Sequence, residues 1–275
     1  MKERMKVIVI FIIISVLSCV SLFMMYQEKN DFEQQYFHLA DLQNIQNDSL
    51  GQLLDQDNIL ERLNNFKQEL KESEKFTFIE FLPNVVEFIG EWDKPNQLVN
   101  GYEYGADLKN QTVHVNNKEL LITPINCISM DQDAWDLYDL SLSEGSEFTE
   151  TDYSLTEKKL PLILGSEFKE YYDIGDEIPL LYFYEEWTGV VQGFLEDDEV
   201  IKQDWTEYSL DTRILVPSFK EVSDKIGEEL QKRITYAQLD AYVLLEDKSE
   251  YSKVNREIKK LSQKYNLPYG LLRGY

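Results

Sequence analysis

The sequence predicts a mixed α+β fold carried on a single N-terminal transmembrane helix, and three observations predict it. Val7 to Met25 is a run of nineteen residues without a charge. At about 1.5 Å per residue such a run just crosses a hydrocarbon core of roughly 30 Å. Beyond it the apolar residues change period, from helical spacing to strand-like alternation and back. The last third then reads strand, helix, strand, helix, which implies a small α/β part set against a β-rich part.

The flanks of the apolar run give it a direction. Lys2, Arg4 and Lys6 precede it, whereas Glu28, Asp31 and Glu33 follow with only Lys29 among them. The positive-inside rule then leaves residues 1–6 as a cytoplasmic stub, 7–25 as the membrane helix and the rest outside the cell membrane, a single-pass arrangement. Two other readings use the same residues. Val16-Leu17-Ser18-Cys19 is an imperfect lipobox with Cys19 as the acylated residue, although Val20 to Met25 stays apolar where a lipoprotein turns polar. A cleaved signal peptide has an apolar run of about 7–15 residues and a small-residue cleavage site, and this run is longer and has no such site.

Charge narrows the partners. The chain of 275 residues has a net charge of -24, and because the stub carries +2 the remainder carries -26. So acidic an exterior repels nucleic acid and anionic head groups and favours cationic partners such as cationic peptides; a bare solubility role is the plainer reading of the same charge. Cys19 lies in the anchor and Cys127 is the other cysteine, so no disulfide forms within the exterior portion and packing must hold it. Nothing near Cys127 would activate its thiol, which reads as a small buried residue.

The elements follow in order. Phe32, Tyr36, Leu39 and Leu42 recur at steps of four and three, which predicts a helical stalk over 26–57, interrupted by the turn residues Asn47 to Gly51. Residues 58–275 form the main domain, with two subdomains. A helix opens at Asn58 with Glu61 as its capping-box partner. Phe76 to Leu82 and Val85 to Ile89 read as strands parted by Pro83-Asn84, and Gln111 to Val115 with Leu120 to Ile125 as a hairpin across Asn116-Asn117-Lys118. Trp92, Tyr102 and Tyr104 lie in the connection as loop aromatics, or as a carbohydrate platform. Asp131, Asp133, Asp136 and Asp139 are dense enough to suggest calcium, but Ala134 and Trp135 follow Asp133 and the match to an EF-hand fails at the third ligand and at the glycine, so a solvated helix face is expected. Leu160 to Leu164 is a buried strand followed by a short helix to Tyr172. Ile178 to Tyr184 and Thr188 to Leu195 are strands joined by Glu185-Glu186-Trp187, and Glu196 to Glu199 is a solvated loop. Arg213 to Val216 is a strand, Ser218 with Glu221 caps a helix, Leu239 to Leu245 is a strand, and a last helix starts at Asp247.

No phosphate loop, H-E-x-x-H, G-x-S-x-G or C-x-x-C occurs in the chain. The two histidines, His38 and His114, lie in unlike surroundings and assemble neither a triad nor a multi-histidine metal site. The expectation is a non-enzymatic protein without catalytic, metal or cofactor-binding residues, and the sequence marks no ligand contact.

Four short segments nevertheless stand in a familiar order. They are Glu144-Gly145-Ser146-Glu147-Phe148, Leu160-Pro161-Leu162-Ile163-Leu164-Gly165-Ser166, Ile174-Gly175-Asp176-Glu177-Ile178 and Val190-Val191-Gln192-Gly193-Phe194. With the N-terminal anchor, this order resembles the first transmembrane helix and periplasmic core domain of MacB/FtsX-like ABC transporter permeases, except that Gln192 is inserted into the usual last pattern. The resemblance implies an extracytoplasmic domain with a porter-like α/β part and a β-rich part, working with a cytoplasmic ABC ATPase and a multi-span permease subunit in export or antimicrobial-peptide resistance. A full permease of that kind continues into three more membrane helices, and this chain stops at Tyr275. The resemblance therefore leaves open a split permease, a truncated copy, or an anchored acidic accessory protein that binds cationic peptides or a partner protein at the cell surface.

Overall fold

The computed structural model describes residues 39–45, 50–203, 206–223 and 225–272, together with Ser18, Ser21 and Met24, three exposed helical positions. The rest of the predicted membrane helix, residues 26–38 of the stalk, and His38 lie outside the described residues. Among the described residues no helix is long and apolar enough to cross a membrane.

In chain order the elements are β1 (Leu39–Asn44), α1 (Leu50–Leu54), α2 (Ile59–Lys71), β2 (Thr77–Ile79), β3 (Phe81–Ile89), β4 (Gln111–Val115), β5 (Lys118–Met130), α3 (Gln132–Tyr138), β6 (Leu142–Gly145), β7 (Ser154–Leu155) and β8 (Lys159–Leu164). They continue with β9 (Glu177–Tyr182), β10 (Glu185–Leu195), β11 (Val200–Gln203), β12 (Thr206–Ser209), β13 (Ile214–Pro217), β14 (Glu221–Val222), α4 (Glu228–Ala237), β15 (Ala241–Leu244), α5 (Tyr251–Lys264) and β16 (Tyr269–Leu272). The mixed α+β class holds, and two sheets organise it.

The smaller sheet runs β16-β1-β15-β2, each neighbouring pair antiparallel. One face buries Ala40, Leu42, Phe78, Val243 and Leu271 against Leu63, Phe66, Val254 and Ile258 of α2 and α5. The other face turns Leu39, Ile79 and Leu244 toward the larger sheet. Both faces of β1 are therefore covered. An interior strand covered in this way loses its alternation, and Leu39 and Leu42 then mimic helical spacing, which is why a strand stands where the stalk helix was expected.

The larger sheet closes on itself. β13 pairs with β8, β8 with β10, β10 with β9, β9 with β3, β3 with β5, and β5 returns to β13 in parallel. The result is a six-stranded barrel with β4 and β6 as side strands on β5 and β10. Alternate residues such as Val86, Cys127, Leu162, Leu164, Leu180, Val191, Ile214 and Val216 form one cluster drawn from all six strands, which is the barrel interior. Their neighbours Ile128, Ile163 and Leu215 face outward, where Trp135 and Tyr138 of α3 and the face of the smaller sheet cover them.

Several local expectations shift. The break after Phe76 comes at Glu80, where the chain passes from one sheet to the other, and Pro83-Asn84 lie inside β3. The β9–β10 turn is Phe183-Tyr184, both at positive φ, a costly conformation for aromatics; Arg233 Nη1 donates to Phe183 O at 3.2 Å and its guanidinium lies over Tyr184. Asn58 precedes α2 in a left-handed conformation without a side-chain cap bond, so the capping box is not made. Ser218 caps nothing, because the chain forms β14 at Glu221 and the helix starts only at Glu228. The β4–β5 hairpin does form, over a two-residue turn with Asn116 and Asn117 both at positive φ.

Candidate functional site

The four short segments lie apart in sequence, and the fold brings them to one crossing on the barrel wall. β10 pairs in register with β8 through Val191 opposite Leu162, then resumes with Gly193 opposite Ile163. Gln192 is the extra residue, a β-bulge. Its effect is to reverse the parity of the strand. Trp187 and Val191 point inward from odd positions, and beyond the bulge Phe194 joins them while Leu195 turns to the outer cluster. Were Gln192 an ordinary ladder residue rather than a bulge, Gly193 and not Phe194 would fill that layer.

Glycines let the neighbouring chains approach the bulge. Gly145 has φ +88, and a Cβ there would overlap the carbonyl oxygen of Gln192. Gly193 faces the carbonyl of Glu144, and a Cβ on Gly165 would overlap the carbonyls of Leu210 and Asp211. Backbone bonds then tie the crossing: Ser146 N donates to Gln192 O at 3.2 Å, Gly175 N to Val191 O at 2.8 Å and Val191 N to Asp176 O at 3.0 Å. The side chain of Gln192 donates through Nε2 to Glu147 O at 2.7 Å and to Asp152 Oδ2 at 3.3 Å.

Beside this crossing lies an open cleft of about 450 Å³. Pro161, Ile174 and Val190 give its lining apolar surface, and Asp152, Glu157 and Lys159 give it charge. A cleft lined by both apolar and charged groups can seat an amphipathic group; its lining residues form no nucleophile–base pair.

A second polar centre sits between the two sheets. Lys71 Nζ lies 2.6 Å from Glu80 Oε1 and 3.7 Å from Asp131 Oδ2, and Lys67 Nζ lies 3.9 Å from Glu80 Oε1. Lys67 also donates to Gln238 Oε1 at 2.6 Å and Phe219 O at 3.3 Å, and Ser218 Oγ donates to Glu80 Oε2. Asp131 accepts from Ala134 N at 3.0 Å as the cap of α3, and from Glu80 N at 3.2 Å. Burial, and then the nearby charge of Glu80, push the Asp131 carboxyl well above the usual carboxylate range. Burial lowers Lys67, while at Lys71 burial is outweighed by the attraction of Glu80 and Asp131, which raises it. α2, the β2–β3 link, β5, the segment after β13 and the end of α4 are thereby pinned at one point.

The residues singled out by sequence fall elsewhere. Asp133, Asp136 and Asp139 are exposed, while Asp131 is buried, contrary to a wholly solvated face. Among the described residues no group of three or more His, Cys, Asp or Glu side chains is placed to hold a metal. His114 is exposed on β4, 3.5 Å from Glu119. Cys127 is fully buried, and that burial raises its thiol far above the ordinary value. Trp92 is buried, whereas Tyr104 is 86% exposed and Tyr102 50%. The cleft and the junction were not marked by sequence; the pattern break at Gln192 was the one available signal for the first.

No family model matches the chain. No curated protein matches it either. Among solved structures it is similar to the extracellular domain of YknZ, a noncanonic ABC-type transporter from Gram-positive bacteria, at 11% identity and a TM-score of 0.44, covering 85% of this chain and 99% of that one. It is similar to the periplasmic region of MacB from Actinobacillus actinomycetemcomitans at 11% identity and a TM-score of 0.42, covering 88% and 92%. A domain of a protein described as a permease from Porphyromonas gingivalis gives 10% identity and a TM-score of 0.42, covering 87% and 91%. The first two are an extracellular domain and a periplasmic region, the third a domain of a permease, and no residue role is carried across from them.

Proposed function

We propose that this chain is the anchored extracytoplasmic domain of a MacB/FtsX-like transporter, a non-enzymatic component that works with a multi-span permease subunit and a cytoplasmic ABC ATPase in export or peptide resistance. One observation carries the reading. β1 follows the predicted anchor and is an interior strand of the smaller sheet, and β16 lies against it with Asp41 opposite Leu272. The start of β1 and the end of β16 thus emerge together at one end of the sheet. Displacement of an anchor helix would load a strand hydrogen-bonded on both sides, and the load would pass through the charged junction into the barrel. Such a path suits a domain that relays motion rather than one that performs chemistry.

The test is purification of the tagged full chain from its native membrane after cross-linking, with mass spectrometry of what accompanies it. An ATPase together with a multi-span membrane protein is the expected result. Recovery of the chain alone, or with soluble cationic peptides only, would overturn the transporter reading in favour of the acidic accessory protein.

A further inference from the structure

Away from both polar centres, the connection after β3 carries an ammonium group inside a ring of aromatics. Lys94 Nζ lies 5.3 Å from the centroid of Phe88, 5.3 Å from that of Trp92 and 5.1 Å from that of Tyr172. All three are within the roughly 6 Å at which a cation is held by the negative face of an aromatic ring. The rings are fixed before the lysine arrives. Phe88 is part of β3, and Trp92 meets it edge-on at 5.3 Å and 72°. Trp92 is pinned by its own N–H on Asn110 Oδ1 at 2.7 Å, and by indole Nε1 on Pro95 O at 3.4 Å. Tyr172 packs near Phe168 on the barrel cluster, and after burial the charges of Asp93 and Asp176 are what act on its phenol.

The lysine side chain is itself only 15% exposed, but its polar partners are few. Its hydrogen-bond acceptor among the described residues is Asp93 Oδ1 at 3.0 Å, on a side chain that is 81% exposed. An ammonium has three donors, and this cage offers one acceptor, at its rim. A fully methylated ammonium has no donors, so three rings with a single acceptor at the rim suit it better than they suit lysine. We propose that Phe88, Trp92 and Tyr172 form a binding site for a quaternary ammonium group, with Lys94 as a built-in occupant that the ligand displaces. The trimethylammonium group can come from a free solute or from a choline lipid head group. The inference stands apart from the transporter reading.

The test titrates tetramethylammonium chloride into the full chain in a maltoside detergent by calorimetry, with sodium chloride at equal ionic strength as the blank. Lys94→Ala should bind at least tenfold more tightly than wild type. Adding Tyr172→Leu to Lys94→Ala should remove the binding. Asp93→Ala, which takes away the acceptor of Lys94, should bind with an affinity between wild type and Lys94→Ala. No saturable binding by a Lys94→Ala protein that melts as wild type does, or binding that survives Tyr172→Leu, would make the cage a structural plug and overturn the proposal. Should Lys94→Ala fail to fold, an Asp93→Ala protein no better than wild type overturns it equally. Phosphatidylcholine vesicles that compete with tetramethylammonium, where phosphatidylglycerol vesicles do not, would support the cage with a lipid source; competition by free choline alone would support it with a soluble one.

Discussion

The junction between the sheets and the crossing on the barrel wall are both polar, and they are built on opposite principles. At the junction Lys67, Lys71, Glu80 and Asp131 hold the fold together with side-chain charges drawn largely out of water. At the crossing Gly145, Gln192 and Gly193 meet through backbone groups, and what matters is the absence of side chains. Removing one charge strands its partners in a poorly solvating environment. Removing an atom at the crossing costs little, while adding one carbon forces two backbones apart. The junction should therefore answer to charge and pH, and the crossing to volume.

The largest effect expected is at Glu80. Glu80→Ala leaves the buried Lys67 without its principal counter-charge. Breaking one side of a buried pair typically costs about 3–5 kcal/mol, and a drop of that size in urea-unfolding stability is the expected outcome. A second change, Lys67→Met, should recover part of it by removing the stranded charge. A loss under about 1 kcal/mol would mean that the two sheets are held together by apolar contacts alone.

Gly145→Ala comes next. The new Cβ meets the Gln192 carbonyl and sits at φ +88, so strain and overlap act together. Overpacking of this kind costs about 1–3 kcal/mol, and the midpoint in urea should fall equally at acidic and neutral pH. That equality is the discriminating readout, because no titratable side chain takes part in the clash.

The same contrast explains what could be read from the sequence. The crossing leaves a trace because glycines and an inserted residue are local features, so Gly145, Gly165, Gly175, Gln192 and Gly193 are legible in order along the chain. The junction left none. Lys67 and Gln238 are 171 positions apart, and each alone is an ordinary polar residue on or beside a helix. Strands followed the same rule. β8 and β13 are apolar runs, and the β4–β5 hairpin is announced by Asn116-Asn117, so these were legible. β1 was not, since a strand covered on both faces carries a pattern set by two distant partners. Ser218 and Glu221 have capping-box spacing, yet Ser218 is taken by Glu80 and Gln238 instead, an instance of tertiary contact overriding local propensity.

Acidity separates the two regions further. The folded chain holds the Asp131 proton more tightly than an unfolded one does, because burial and Glu80 raise its carboxyl. The stability this contributes is complete below the unfolded value, near 3.9, and is lost as pH climbs toward and through the raised folded value. Asp131→Asn stays neutral throughout, and an asparagine at the start of α3 caps as well as aspartate does. Lys71 retains Glu80 at 2.6 Å in that variant. From pH 4 to pH 8 the variant should lose about 1 kcal/mol less stability than wild type, and parallel curves would show that Asp131 ionises as freely in the folded chain as in the unfolded one.

The smallest effect belongs to the side chain of the bulge itself. Gln192 Nε2 donates to Glu147 O, to Asp152 Oδ2 and, at 3.4 Å, to Ser146 Oγ, all at the edge of the cleft. Gln192→Ala keeps the bulge, so Phe194 still turns inward, and the hydrogen bonds lost are exposed or half-buried ones. A net surface bond is worth about 0.5–1.5 kcal/mol, and water replaces these readily, so global stability should fall by less than about 1 kcal/mol. The backbone bond from Ser146 N to Gln192 O does not depend on the side chain and should persist. Hydrogen exchange should instead quicken at Thr149, whose N–H is held by Asp152 Oδ2, because Asp152 loses the donor that fixes it. A global loss as large as that of Gly145→Ala would place the organising role in the glutamine side chain, and the backbone account of the crossing would fail.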